Sequence, residues 1–275
     1  MPEVSSAPAT AHSIASPLSV QEVQTYENLL VKGLISGSSV VHKFGAGIVD
    51  TLERSIRGAA AASTYTLPST GFTVEAVSAS ANDTAAGSGA RTIVVIGLRA
   101  SDWTETSETI TMNGTTPAAA ASPVTWARIY RAYVSGSGTY GQVDNATAGT
   151  ITIRTTGAGA THATITTEGQ TLIADYTVPA GKVAHVHQIT FVSESTRPCT
   201  FHLHARENAD VVVAPFPAMR LRQEFAGVIG ATTIKFDFPL TFAAKTDICY
   251  TAWLTTGSGD VSVSTVSTVI ELVDA

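Results

Sequence analysis

The sequence is short of charge. Only 14% of its 275 residues are Asp, Glu, Lys or Arg, against about a quarter in an average soluble protein. Lys and Arg total 16 against 22 acidic residues, a formal charge of -6. That balance excludes a surface built throughout to hold a polyanion, and it argues against direct contact with nucleic acid. Cysteine is scarce too. Cys199 and Cys249 form no CxxC pair, so zinc-finger and thioredoxin-like readings lack support. They read as two separate buried thiols, because a chain this long does not need a disulfide. No stretch supplies the roughly 20 apolar residues of a membrane-spanning helix. The first residues lack the basic-then-apolar order of a secretory signal, so synthesis in the cytoplasm and no membrane partner are expected. Also missing are GxSxG, HExxH and P-loop patterns. Gly87-Ser88-Gly89 and Gly136-Ser137-Gly138 read as turns, since neither leads into a helix that could hold an anion. The chain reads as a non-enzyme, with no catalytic residue and no cofactor.

What the sequence does have is threonine, about one residue in seven. Thr, Val and Ile together outnumber Leu, Glu, Lys and Met. That balance favours strands through packing on a pleated surface. Residues 1–19 mix Ser, Ala, Thr and Pro without a period and read as a tail. Residues 20–34 predict a short helix, with Ser19 as cap, Glu22 at the capping-box position and Gly33 as terminator. Val23, Tyr26 and Leu30 would share one face. Residues 1–60 as a whole read as an extended N-terminal arm that a neighbouring subunit could order.

From residue 61 the period changes to two. FTVEAV (72–77), RTIVVIGL (91–98), SETITMNG (107–114), TWARIYRAYV (125–134), GTITIR (149–154) and HATITT (162–167) read as strands. A second series follows: QTLIADYTV (170–178), KVAHVHQITFV (182–192), CTFHLHA (199–205), DVVVAPF (210–216), TTIKFDFPL (232–240), DICYTAWLTT (247–256) and VSVSTVSTVIEL (261–272). In TTIKFDFPL the alternation puts Ile234, Phe236 and Phe238 on one face, and Pro239 suits a strand end or an edge. In TWARIYRAYV the period does not decide which face is inward. No long helix separates these runs, and parallel strands need such crossovers. The fold expected is all-β, an antiparallel, jelly-roll-like β-sandwich. Two sandwich regions, 61–168 and 169–275, would follow the arm.

Candidate chemistry is thin. His185 and His187 share one face of a strand, and His202 and His204 share one face of the next. Four imidazoles in register would suit Zn²⁺; otherwise the pairs are simply the polar face of a sheet. Asp102, Glu105 and Glu108 cluster, but in a turn and at a strand start, not as a spaced acid pair across a cleft. Asn82-Asp83 lies in a loop that lacks EF-hand spacing. Arg128 and Arg131 face opposite ways. Trp103, Trp126, Trp253 and Tyr140 are candidates for stacking on a glycan; Trp103 and Tyr140, in turn regions, are the best of these, and Trp253, mid-strand, is better suited to core.

Several of these runs carry a resemblance. ASANDTAAGSGARTIVVIGL (79–98), SETITMNGTTP (107–117), WARIYRAYV (126–134), NATAGTITIR (145–154), GQTLIADYTVPAGKVAHVHQITF (169–191) and FPLTFAAKTDI (238–248) resemble virion structural proteins of tailed bacteriophages. The similarity covers roughly residues 72–275. It implies a non-enzymatic building block in the virion, a homo-oligomer with a trimer favoured. Its partners would be the major capsid protein or neighbouring tail and connector proteins. Capsid decoration is the leading role implied. A tail, connector or baseplate component, with or without a host glycan-binding module, is the alternative.

Overall fold

The computed structural model describes residues 25–58, 65–141, 146–255 and 262–275. The expected cap Ser19, Glu22, Val23 and the turn at 257–259 lie outside the described residues. The fold is almost entirely β, with every strand pair antiparallel.

Among the described residues the helix α1 (Tyr26–Val31) starts at Thr25, whose hydroxyl accepts from the Asn28 amide at 3.4 Å. It stops where Gly33 takes φ +67, the left-handed turn that glycine adopts without strain. Six residues do not hold a helix in water unaided. Here Leu30 is buried, and the Tyr26 hydroxyl donates to Glu271 on a strand beneath.

One sheet has the order β1 (Ser38–Val49), β15 (Ser262–Asp274), β10 (Lys182–Ser193), β13 (Gly230–Phe242). A second has the order β12 (Arg220–Val228), β11 (Cys199–Arg206), β14 (Asp247–Leu254), β2 (Arg54–Ser55), with β9 (Tyr176–Thr177) also on β14. A core lies between them. Val186, Ile189 and Phe191 of β10, Val266 and Ile270 of β15, Phe201 and Leu203 of β11, and Ile248 and Tyr250 of β14 meet there. Ser38–Val49 falls in the stretch expected to be an arm. Its neighbour is this same chain: β1 pairs along its whole length with β15.

Two smaller sheets lie between β2 and β9 in the sequence. Their orders are β3 (Val74–Ser78), β7 (Ile151–Thr155), β8 (Thr161–Ile165) and β5 (Glu105–Thr111), β4 (Ala90–Arg99), β6 (Trp126–Ser137). Val74, Ile151 and Ile165 of one sheet meet Ile93, Ile110 and Trp126 of the other in a second core. β6 serves both cores, which is why its period did not choose a face. Trp126, Ile129 and Ala132 join the smaller core, while Ala127 and Tyr130 join the larger.

The intervening segment leaves and returns at one place. Arg57 bridges Ile173, and the Ala174 amide donates to the Ile56 carbonyl at 2.9 Å. β1 passes so close to the return that a Cβ on Gly45 would lie 2.1 Å from the Ala174 nitrogen. Only glycine fits there.

Candidate functional site

The two histidine pairs are on different sheets. His185 and His187 stand on β10, His202 and His204 on β11. The four imidazoles therefore do not converge, because the short connection between β10 and β11 carries the chain from one sheet to the other. His185 meets Thr241 of β13 at 3.1 Å. His187 turns the other way, with its Nε2 2.9 Å from Glu271. A bulge at His187 separates the two, since the β10 register jumps from Val186 to Gln188.

The second pair is better placed. β11 is hydrogen-bonded on both sides, to β12 and β14, and presents His202 and His204 on its outer face. Glu53, just ahead of β2, reaches both. Its Oε1 lies 3.6 Å from His202 Nδ1 and 3.3 Å from His204 Nε2. One ligand atom from each of the three residues falls within 4.8 Å of the other two. Around them, His202 Nε2 lies 2.9 Å from Glu224 on β12. The Thr251 hydroxyl donates to Glu53 at 2.5 Å and lies 3.1 Å from His204 Nε2. The Trp253 and His202 rings meet nearly at right angles, with centroids 4.5 Å apart. The His-x-His spacing was visible in the sequence. Glu53 was not, because it comes from about 150 residues upstream.

The two best stacking candidates part company. Trp103 is only 8% exposed, and Arg128 sits 5.0 Å from its ring centroid. Its faces are closed to a sugar, because the turn before it folds back on Arg99 and drives the indole into the core. Tyr140 stands fully in solvent. Trp126 is buried and closed to a sugar, while Trp253, expected in the core, is only half-buried.

The acidic residues are used singly. Asp102 accepts from the Thr104 amide and hydroxyl, which hold its carboxyl below its ordinary pKa. Glu105 accepts from Tyr130. Glu108 accepts from Trp126 Nε1 at 3.1 Å and the Val124 amide at 2.7 Å. Asp83 is fully buried and takes the amides of Ala90, Ala148 and Gly149 together with the Ser78 hydroxyl. Its oxygens are committed to holding the loop, which leaves no open calcium site there.

The largest departure from a sealed surface lies along β12, β13 and the loop before them. Val211, Val212, Val213, Phe216, Met219, Leu221, Ile229 and Phe238 are all exposed. They are eight of the fourteen large apolar side chains exposed among the described residues. Arg222 lies 5.7 Å over the Phe242 ring, so the start of β12 runs beside the end of β13. Phe238 is 90% exposed, although the alternation grouped it with Ile234 and Phe236, which pack on the core. The register break between Lys235 and Leu240 throws it outward.

No family model matches the sequence, and no curated protein matches it. Among solved structures, the chain is similar to one from the infectious bursal disease virus Gx strain. The identity is 9% and the TM-score 0.25, over 86% of this chain and 73% of that one. A chain from the Gt strain of the same virus gives 7% and 0.12, over 86% and 80%. Likeness this loose carries no argument about function.

Two buried charge centres had no signal in the sequence. Asp247 is fully buried and accepts from Arg128, Arg206 and Thr177. Lys43 is buried between β1 and β6, and its Nζ donates to the Tyr130 carbonyl at 2.7 Å. Burial pushes its pKa down to about 7. Each depends on partners far away in sequence. Among the described residues no helix is long and apolar enough to cross a membrane.

Proposed function

We propose that this chain is a non-enzymatic structural component of a tailed-phage particle, assembling as a homo-oligomer through its sandwich surfaces. Capsid decoration is the role we favour. The observation that carries the reading is the exposed apolar band of β12, β13 and the preceding loop. Large apolar side chains left exposed in such number on one stretch of chain suit contact with another protein. Low overall charge suits the same use, since interface centres are depleted in Lys, Glu and Asp. The sequence resemblance over residues 72–275 points the same way.

The strand pairing supports a jelly-roll reading of the larger sandwich. With β3 to β8 set aside, and with them the two-residue β9 that flanks β14, eight strands remain. The first pairs with the last, β1 with β15; then β2 with β14, β10 with β13, and β11 with β12. This is one long antiparallel hairpin rolled into two four-stranded sheets, an architecture found in viral capsid and lectin domains. We take residues 38–57 and 173–275 as this body. The segment between them is an inserted second sandwich.

Quantitative protein analysis and density maps of purified particles test the proposal. A high copy number on the outer shell is expected. A few copies at the tail or its connector would establish the alternative position instead. Absence of the chain from particles would end both readings.

A further inference from the structure

We propose that Glu53, His202 and His204 form a binding site for a divalent transition-metal ion, with Zn²⁺ as the fitting ligand. The inference stands apart from the particle role.

The donor set argues first. Two imidazoles and one carboxylate suit zinc and its first-row neighbours; calcium and magnesium prefer all-oxygen sites. Spacing argues next. Zinc bonds of about 2.0–2.2 Å at tetrahedral angles set neighbouring ligand atoms about 3.3–3.6 Å apart. Glu53 Oε1 lies 3.6 Å from His202 Nδ1 and 3.3 Å from His204 Nε2.

The surroundings prepare the ligands as well. Glu224 lies 2.9 Å from His202 Nε2. A proton on Nε2, given to that carboxylate, leaves the Nδ1 lone pair facing Glu53 and His204. Carboxylates behind a ligating histidine serve this purpose in metal sites. Thr251 holds Glu53 by its hydroxyl at 2.5 Å. Trp253 packs nearly at right angles to the His202 ring, which restrains that ring's plane. Three protein ligands leave the fourth position of a tetrahedron open to water.

The site also spans a weak place in the fold. β2 pairs with β14 through two residues only, and Glu53 directly precedes it. An ion held by Glu53 and β11 would tie that edge across β14. The other histidine pair does not do this, because His185 and His187 reach toward different strands.

Full-length protein stripped with a chelator should be titrated with ZnCl₂ by calorimetry and with CoCl₂ by visible absorption. One ion per chain is expected, with the intense cobalt bands of a tetrahedral site and a higher thermal midpoint. Glu224→Gln should weaken binding about 10–100-fold, the usual loss when a supporting carboxylate is removed. His202→Gln combined with His204→Gln should abolish binding. Undiminished binding by that double variant would overturn the proposal. So would wild-type protein that takes up no zinc at micromolar concentration or gives no tetrahedral cobalt spectrum. The cobalt reading needs no variant, so it decides the matter even if the substituted chain does not fold.

Discussion

Lys43 shows what single residues do here. Asp175 and Glu105 hold its charge while Arg57 and Arg131 repel it, but desolvation outweighs them all and lowers its pKa from 10.5 to about 7. The folded state therefore releases this proton near pH 7, while the unfolded chain keeps it up to about pH 10.5. Between those values the unfolded state binds more protons, so stability rises with pH across that window. Below pH 7 the full cost of burying the ammonium is present. Lys43→Met should stabilise the protein at pH 6 by about 1–3 kcal/mol, after allowing for the lost hydrogen bond. The gain should fade toward pH 10. Urea unfolding at both pH values checks this, and a gain that is equal at both would refute it. Asp247 works the other way. Asp247→Ala leaves the buried Arg128 and the half-buried Arg206 without their counter-ion and should cost about 3–5 kcal/mol, read by chemical denaturation. Neither residue could be singled out from sequence. An isolated Asp or Lys in a strand looks like a solvated charge until its distant partners are known.

At the level of elements the sequence was more informative. The runs KVAHVHQITFV and CTFHLHA became β10 and β11. The edge position suited to Pro239 is where β13 lies. Alternation failed at bulges and where both faces are covered. The bulge at His187 lets Ala184 and Val186 point inward and then Ile189 and Phe191 as well. The break in β13 releases Phe238, and no period of two can announce an inserted residue. β6 is buried on both faces, so alternation carried no information there. An exposed apolar edge strand attracts partners. Phe238→Asp with Val213→Asp should therefore reduce self-association in sedimentation velocity. The unfolding free energy should stay within about 0.5 kcal/mol, as for exposed positions generally. Weakened assembly with a matching loss of stability would instead mean that these side chains support the fold.

On the scale of the whole molecule, antiparallel sheets were legible from the short runs and the missing crossovers. Which strands pair was not, because the pairs join the two ends of the chain. The adjacent exit and return at Ile56 and Ala174 suggest a direct test. Residues 58–172 replaced by an Asn-Gly turn should leave a cooperatively unfolding β-protein, less stable for want of Leu98, Trp103, Ala127 and Tyr130 in the larger core. Circular dichroism with thermal melting checks it, and a disordered product would show that the shell depends on its insertion.

The pairing of Ser38 with Val273 also sets an order of events during synthesis. The inserted sandwich contains its own partners and can close while the ribosome is still working. β1 emerges early and waits until β15 has been made. Until then it is an open template for any passing strand. A truncated polypeptide would retain that liability for good, so nonsense products of this gene should accumulate as aggregates, not as soluble fragments.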